Sequence, residues 1–232
     1  MLNRLAEVQA LDLELDSLEQ ERGQVPTELL EAQEHRRNLD RTIEVRTQEL
    51  GDLRRAVNAN ELELKTLEER RRSAAANAVR ATSPKEVSQF QNQELQFGTR
   101  VQELEEDTLP LMESHDQLAE VVAALEAEMA ALLPDLEALN LAEQERVAGV
   151  DQRMNEIRTQ RDSLASSIDA PLLKQYDQVR RSRRGIGLAE VVDNSTCTGC
   201  NVRLPIHVVQ KARKGVGVTR CPSCGRILMY KG

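Results

Sequence analysis

The 232-residue chain reads as a mainly α-helical protein, a long antiparallel coiled-coil hairpin followed by a small β-rich module at the C-terminal end. Three observations lead there. Aromatic residues make up 2% of the sequence and Trp is absent, so there is little large apolar bulk for a sizeable globular core. Apolar residues recur at alternating intervals of three and four over most of the first 168 positions, the pattern of helices with one narrow seam. All four cysteines are gathered between positions 197 and 224, in two CxxC pairs.

Leu2, Leu5, Val8, Leu11, Leu15 and Leu18 give a short first helix, closed by the segment Gly23 to Pro26. From Leu29 a seam runs through Ala32, Leu39, Ile43, Leu50, Leu53, Val57, Leu64, Leu67 and Ala74. Arg36, Arg46, Asn60 and Arg71 fall on seam positions, where they set register or snorkel to water. A second seam runs from Val87 and Phe90 through Phe97, Val101, Leu104, Leu118, Val122, Leu125, Met129 and Leu136 to Leu139, with His115 on it, and continues less cleanly to Ile157.

Between the seams lies Ala81-Thr82-Ser83-Pro84-Lys85-Glu86. Ser83 can cap a new helix, Pro84 suits its first position, and Glu86 completes a capping box. A turn near 81–86 folds two arms of matching length together, residues 2–80 and 84–166, so Leu67 should meet the region of Val101, and Leu2 that of Leu164. At ~1.5 Å rise per residue each arm is on the order of 120 Å long. Pro110 and Pro134 each remove a helical hydrogen bond, and bends or short breaks are expected there.

Asp169-Ala170-Pro171 opens a further helix that Gly185 and Gly187 end. Beyond it, Leu188 to Val192, Gly217 to Thr219 and Arg226 to Tyr230 have the composition of short strands. The organisation is therefore 1–168 coiled-coil hairpin, 169–185 linker helix with a basic cluster, and 186–232 four-cysteine ribbon.

Cys197-Thr198-Gly199-Cys200 and, twenty residues on, Cys221-Pro222-Ser223-Cys224 have the spacing of a tetrahedral zinc site, one structural Zn2+ per chain. In each CxxC knuckle two thiolates converge, with Gly199 and Gly225 permitting the turns and backbone amides pointing back at sulfur. The competing use of CxxC, redox exchange on a βαβ scaffold, finds no such scaffold here. His207 reads as a surface or packing residue rather than a fifth ligand. Residues 186–232 are too few to fold on apolar burial alone, so the metal should be their main source of stability. Four ligands leave no open position for chemistry. No nucleophile and base pair or Gly-rich phosphate loop occurs elsewhere, so an enzyme is not expected.

Charge sorts by end. Residues 174–232 hold 12 Lys or Arg against 3 Asp or Glu, a net of +9, and the remainder carries −17 of the total −8. Arg180, Arg181, Arg183 and Arg184, with Arg203, Lys211, Arg213, Lys214, Arg220 and Arg226, are candidates for a phosphate-binding or partner-binding face, with only Tyr176 and Tyr230 as stacking platforms. No apolar run approaches the roughly 18–20 residues that span a bilayer, and the opening segment lacks an export signal, so a cytoplasmic chain without membrane contact is expected.

The tip Ser83-Pro-Lys-Glu-Val-Ser-Gln-Phe90, the linker with Tyr176 and Val179-Arg180, and Cys197-Thr-Gly-Cys200 followed by Cys221-Pro-Ser-Cys224-Gly-Arg-Ile-Leu228 occur in the order found in a known group. The chain resembles the bacterial C4-type zinc-ribbon proteins with an N-terminal coiled-coil hairpin. That resemblance implies an interaction protein, since some members are linked to flagellar gene control, through a specialised sigma factor or messenger RNA, or to type III secretion components. Two functions are therefore carried forward: an adaptor or chaperone-like scaffold for a protein partner, such as a transcription or secretion component, and a regulator holding RNA or DNA on its basic head. The sequence does not choose between monomer and dimer.

Overall fold

The structure, a computed structural model, describes residues 1–192, 195–215 and 217–230. Helices α1 (Leu2–Gly23), α2 (Thr27–Arg80), α3 (Pro84–Ala165) and α4 (Ala170–Ser182) precede a small ribbon of β1 (Leu188–Val192), β2 (Thr196–Cys197), α5 (Ile206–Lys214) and β3 (Ile227–Tyr230). Two compact units arise, a hairpin unit of residues 27–139 and a ribbon unit of residues 1–26 and 140–232. Helix α3 contributes to both. Among the described residues no helix is long and apolar enough to cross a membrane.

In the hairpin unit the turn falls where the capping box places it. The Glu86 amide donates to Ser83 Oγ at 3.2 Å, and the Ser83 amide donates to Glu86 Oε2 at 3.4 Å. The arms then pair antiparallel: Leu67 and Leu64 cluster with Val101, Leu104 and Phe97, as the seams predict. Further from the tip, Asn60 Nδ2 donates to Thr108 Oγ1 at 3.0 Å, and His35 lies 3.0 Å from Glu128. Asn60 therefore sets register, while Arg36, Arg46 and Arg71 stand exposed, the Arg71 guanidinium lying beside Gly98 of the other arm.

Neither Pro110 nor Pro134 breaks α3, which runs 82 residues without interruption. Each proline deprives the carbonyl four residues earlier of its donor, and both of those residues, Glu106 and Ala130, are solvent-exposed, so water can replace the bond. Packing holds the helix on either side, through buried Leu104 and Thr108 before the first proline and buried Leu136 after the second.

The ribbon unit is built differently. Leu5 and Val8 of α1, Ile168, and Leu172 and Tyr176 of α4 share one core with Leu188, Ile227 and Met229, and Leu2 and Leu164 pack against it. A second cluster joins Leu18 of α1 to Val150, Met154 and Ile157 of α3. The open C-terminal carbonyls of α1 are met by one side chain: Arg146 donates to the carbonyls of Glu21 and Gln24, both at 2.8 Å.

The sheet order is β2-β1-β3, with β1 antiparallel to β2 and parallel to β3, Leu188 opposite Ile227. Two of the three expected strands are present. The expected Gly217–Thr219 strand is absent, and the chain makes only an isolated bridge there, between Arg220 and Ile227. Helix α5 lies outside the expected elements, and Ile206, Val208 and Val209 are β-branched residues of low helix propensity. It is held by burying Val209 and Ala212 on one face and by a left-handed Gly215 (φ 63°) at its end.

Candidate metal centre and its basic surroundings

Two tight turns bring the four thiols together. In the first, the Asn201 amide donates to the Cys197 carbonyl at 2.8 Å; in the second, the Gly225 amide donates to the Cys221 carbonyl at 2.9 Å. The residue after the second cysteine takes the left-handed backbone in both, Asn201 at φ 57° and Gly225 at φ 77°. Gly199 is therefore needed for clearance rather than for its dihedral angles: a Cβ there would lie 2.4 Å from Arg226 Cδ.

All four sulfur atoms lie within 4.8 Å of one another. Cys197 and Cys224 Sγ are 3.9 Å apart, and Cys200 and Cys221 Sγ are 3.7 Å apart. A tetrahedron with Zn–S bonds of ~2.3 Å has S···S edges of about 3.8 Å, so the four thiols fit one zinc ion as they stand. With four sulfur ligands such an ion has no open position and acts as a structural clamp.

The thiols are not equivalent. Burial pushes Cys197 up to about 12, against the pull of the Gly199 and Cys200 amides. Burial also raises Cys221, against the Cys224 and Ser223 amides. At Cys224 burial is outweighed by hydrogen bonds from the backbone and side chain of Arg226, and the thiol falls to about 7.

The basic residues divide into two groups. Arg181 and Arg184 are exposed beside the ribbon, and Lys211, Arg213 and Lys214 form the exposed last turn of α5, with the Arg213 guanidinium 5.6 Å from the Tyr230 ring centre. Arg220, also exposed, donates to Gln175 Oε1 at 3.1 Å. Arg203 is exposed as well. Arg180, Arg226 and the exposed Arg183 are instead tied to groups of the unit itself. Arg180 donates to Asp16 Oδ1 at 2.6 Å and to the Asp12 carbonyl at 3.1 Å. Arg183 Nε donates to the Cys224 carbonyl at 2.7 Å. Arg226 is buried. Tyr176 is no stacking platform: it is fully buried and its hydroxyl donates to Asp12 Oδ2 at 2.8 Å.

Asp12, 3% exposed, is the centre that sequence reading missed. Its carboxylate accepts from Arg161 Nε at 3.2 Å and from Tyr176, and lies 3.6 Å from Arg180 Nε. Burial, then the Asp12 charge and its hydrogen bond, drive the Tyr176 hydroxyl far above its ordinary range. The only sequence signal was Asp12 itself, an acid placed four residues after Val8 and therefore on the buried face of α1.

The comparisons agree with this architecture. The model of a CT398-like coiled coil hairpin domain matches residues 8–184, and that of a C4-type zinc ribbon domain matches residues 196–228. Two Mycobacterium tuberculosis proteins, from strains CDC 1551 and H37Rv and both described as uncharacterized, are 28% identical over 152 residues, 64% of this chain. The match spans only 61% of their length. The structure of CT398 from Chlamydia trachomatis superposes with a TM-score of 0.88 at 17% identity, covering 99% of this chain and 97% of that one. A Mycobacterium smegmatis protein gives 0.80 at 24% identity with the same coverage, and HP0958 from Helicobacter pylori gives 0.57 at 22%, covering 100% of this chain and 97% of that one. At these identities the structures establish the fold. With the hairpin model matched from residue 8 to residue 184, the chain belongs to the CT398-like coiled-coil hairpin family and carries a C4-type zinc ribbon suited to one structural zinc.

Proposed function

We propose that the chain is a non-enzymatic adaptor whose hairpin binds a protein partner while the zinc ribbon serves as its folded anchor. The observation that carries this reading is the set of large aliphatic side chains exposed along the two arms toward the tip: Leu62 is 68% exposed, Val79 87% and Leu95 69%, among charged neighbours. Large aliphatic side chains spaced along an exposed helical pair suit docking by a partner helix or strand. The closed cysteine tetrahedron supports a structural rather than catalytic metal. The second reading, a regulator that holds RNA or DNA backbone, rests on the exposed Arg181, Arg184, Lys211 and Lys214.

One experiment separates them. The full-length protein is used to capture partners from the source cell, with and without nuclease, alongside a Leu62→Glu/Val79→Glu/Leu95→Glu variant and an Arg181→Glu/Arg184→Glu/Lys211→Glu variant. The adaptor reading expects a nuclease-resistant partner that only the tip variant loses. Capture abolished by nuclease and by the basic-face variant, with a steep salt dependence, would favour the nucleic-acid reading.

A further inference from the structure

Arg226 is a buried cation with no acidic partner. It is 8% exposed, and its guanidinium donates to three carbonyls: Nε to Ile186 at 3.0 Å, Nη1 to Gly199 at 2.7 Å and Nη2 to Arg183 at 3.0 Å. Among the described residues no carboxylate lies within ion-pair distance of it, whereas the partly enclosed arginines of this unit are paired, Arg180 and Arg161 each with Asp12 and a second acid and Arg146 with Glu143. A guanidinium removed from water without a counter-charge is costly, and carbonyl dipoles satisfy its N–H groups without neutralising it.

The negative charge is next door. Four thiolates on one divalent zinc carry a net charge of −2, and Arg226 follows Cys224 by two positions while clasping Gly199 inside the other knuckle. The clasp is close: Gly199 has no space for a Cβ against the Arg226 side chain. Its main chain is tied in as well, since the Cys221 amide donates to the Arg226 carbonyl at 2.8 Å. One residue thus touches both cysteine turns.

We propose that Arg226 is the counter-ion and positioning residue of the zinc centre, holding the two knuckles at ligating distance with its guanidinium and offsetting half of the tetrathiolate charge. Supporting groups around metal ligands commonly change affinity 10–100-fold when removed. Lysine cannot replace it, because an ammonium presents no planar fork able to reach three separate carbonyls.

The test uses the full-length zinc-loaded protein and its Arg226→Gln, Arg226→Lys and Gly199→Ala variants. Zinc release to a chromophoric chelator should be at least about tenfold faster in Arg226→Gln, with little recovery in Arg226→Lys. In the cobalt-substituted proteins the thiolate-to-metal charge-transfer bands should shift in both. Wild-type release from a folded Arg226→Gln protein would overturn the proposal. Faster release with unchanged cobalt bands would overturn it too, since that pattern belongs to a residue that merely braces the surrounding backbone. Should Arg226→Gln not fold, Gly199→Ala carries the test: it keeps the guanidinium and only displaces it, and an unchanged release rate there sinks the proposal.

Discussion

The hairpin unit and the ribbon unit contain the same kind of helix, yet they are stabilised by different means. In the hairpin unit the buried side chains are single residues spaced along a seam, such as Leu29, Leu39, Leu67 and Ala74 of α2, and among the described residues the only buried polar side chain there is Thr108. In the ribbon unit α1 meets α4 and two strands over one core, with a buried carboxylate, two arginines and a four-thiol cluster beside it. A seam distributes stability evenly along a helix pair, so the loss of one layer is local. A core closed by a metal and a charge network concentrates stability, so the loss of one component reaches every element around it.

Metal removal is the largest way to test that contrast. Structural zinc contributes roughly 10–16 kcal/mol in small isolated sites, and chelation should unfold the ribbon. Because Leu188, Ile227 and Met229 share a core with Leu5 and Val8, amide protection should also fall in α4 and the first turns of α1, while residues 60–110 keep theirs. Hydrogen exchange read by mass spectrometry distinguishes this from a freely detachable ribbon, for which α1 would stay protected.

The next effect in size concerns Asp12. Asp12→Ala strands Arg161 and Arg180 in a partly enclosed site and should cost about 3–5 kcal/mol, confined to the ribbon unit. Removing an exposed hairpin acid such as Glu49, paired to Arg46 at 2.8 Å, should cost below about 1 kcal/mol. Urea unfolding followed by circular dichroism measures both, and equal losses would erase the distinction between the units.

The smallest effect is a pH dependence. The Tyr176 hydroxyl binds its proton more tightly in the folded state than in the unfolded one. Its contribution is therefore whole below about pH 10, the ordinary tyrosine value, and declines as pH rises from there toward the folded value. In a Tyr230→Phe protein the tyrosinate absorbance belongs to Tyr176 alone and should appear only with alkaline unfolding. Tyr176→Phe should remove that portion of the alkaline destabilisation; an ordinary titration midpoint in the folded protein would contradict the burial.

What the sequence made legible follows the range of the physics. Seams, capping box and CxxC spacing are local patterns, and they located Leu67 against Val101, the turn at Ser83 and the cysteine cluster. The Asp12 network and the Arg226 clasp join residues more than 140 and 25 positions apart, respectively, and no periodicity announces such pairings. Arginines therefore looked alike in sequence, although Arg181 faces water and Arg226 does not. Helix α5 was hidden for another reason: Ile206 and Val208 favour strands by propensity, and burial of Val209 and Ala212 overrode it.

Gln9 of α1 treats β1 much as another backbone would. Its Oε1 accepts from the Gly187 and Leu188 amides at 2.9 and 2.7 Å, and its Nε2 donates to the Leu188 carbonyl at 3.0 Å. These partners are 178 and 179 residues apart. A ribosome adding roughly 5–20 residues per second separates their syntheses by about 10–35 s. Through that interval Leu5 and Val8 have been made but the strands that bury them have not, whereas both arms of the hairpin are completed before its end and can close first. Helix α1, made before every element that buries it, is thus among the last to reach its final place, and its apolar face needs shelter while the protein is being born.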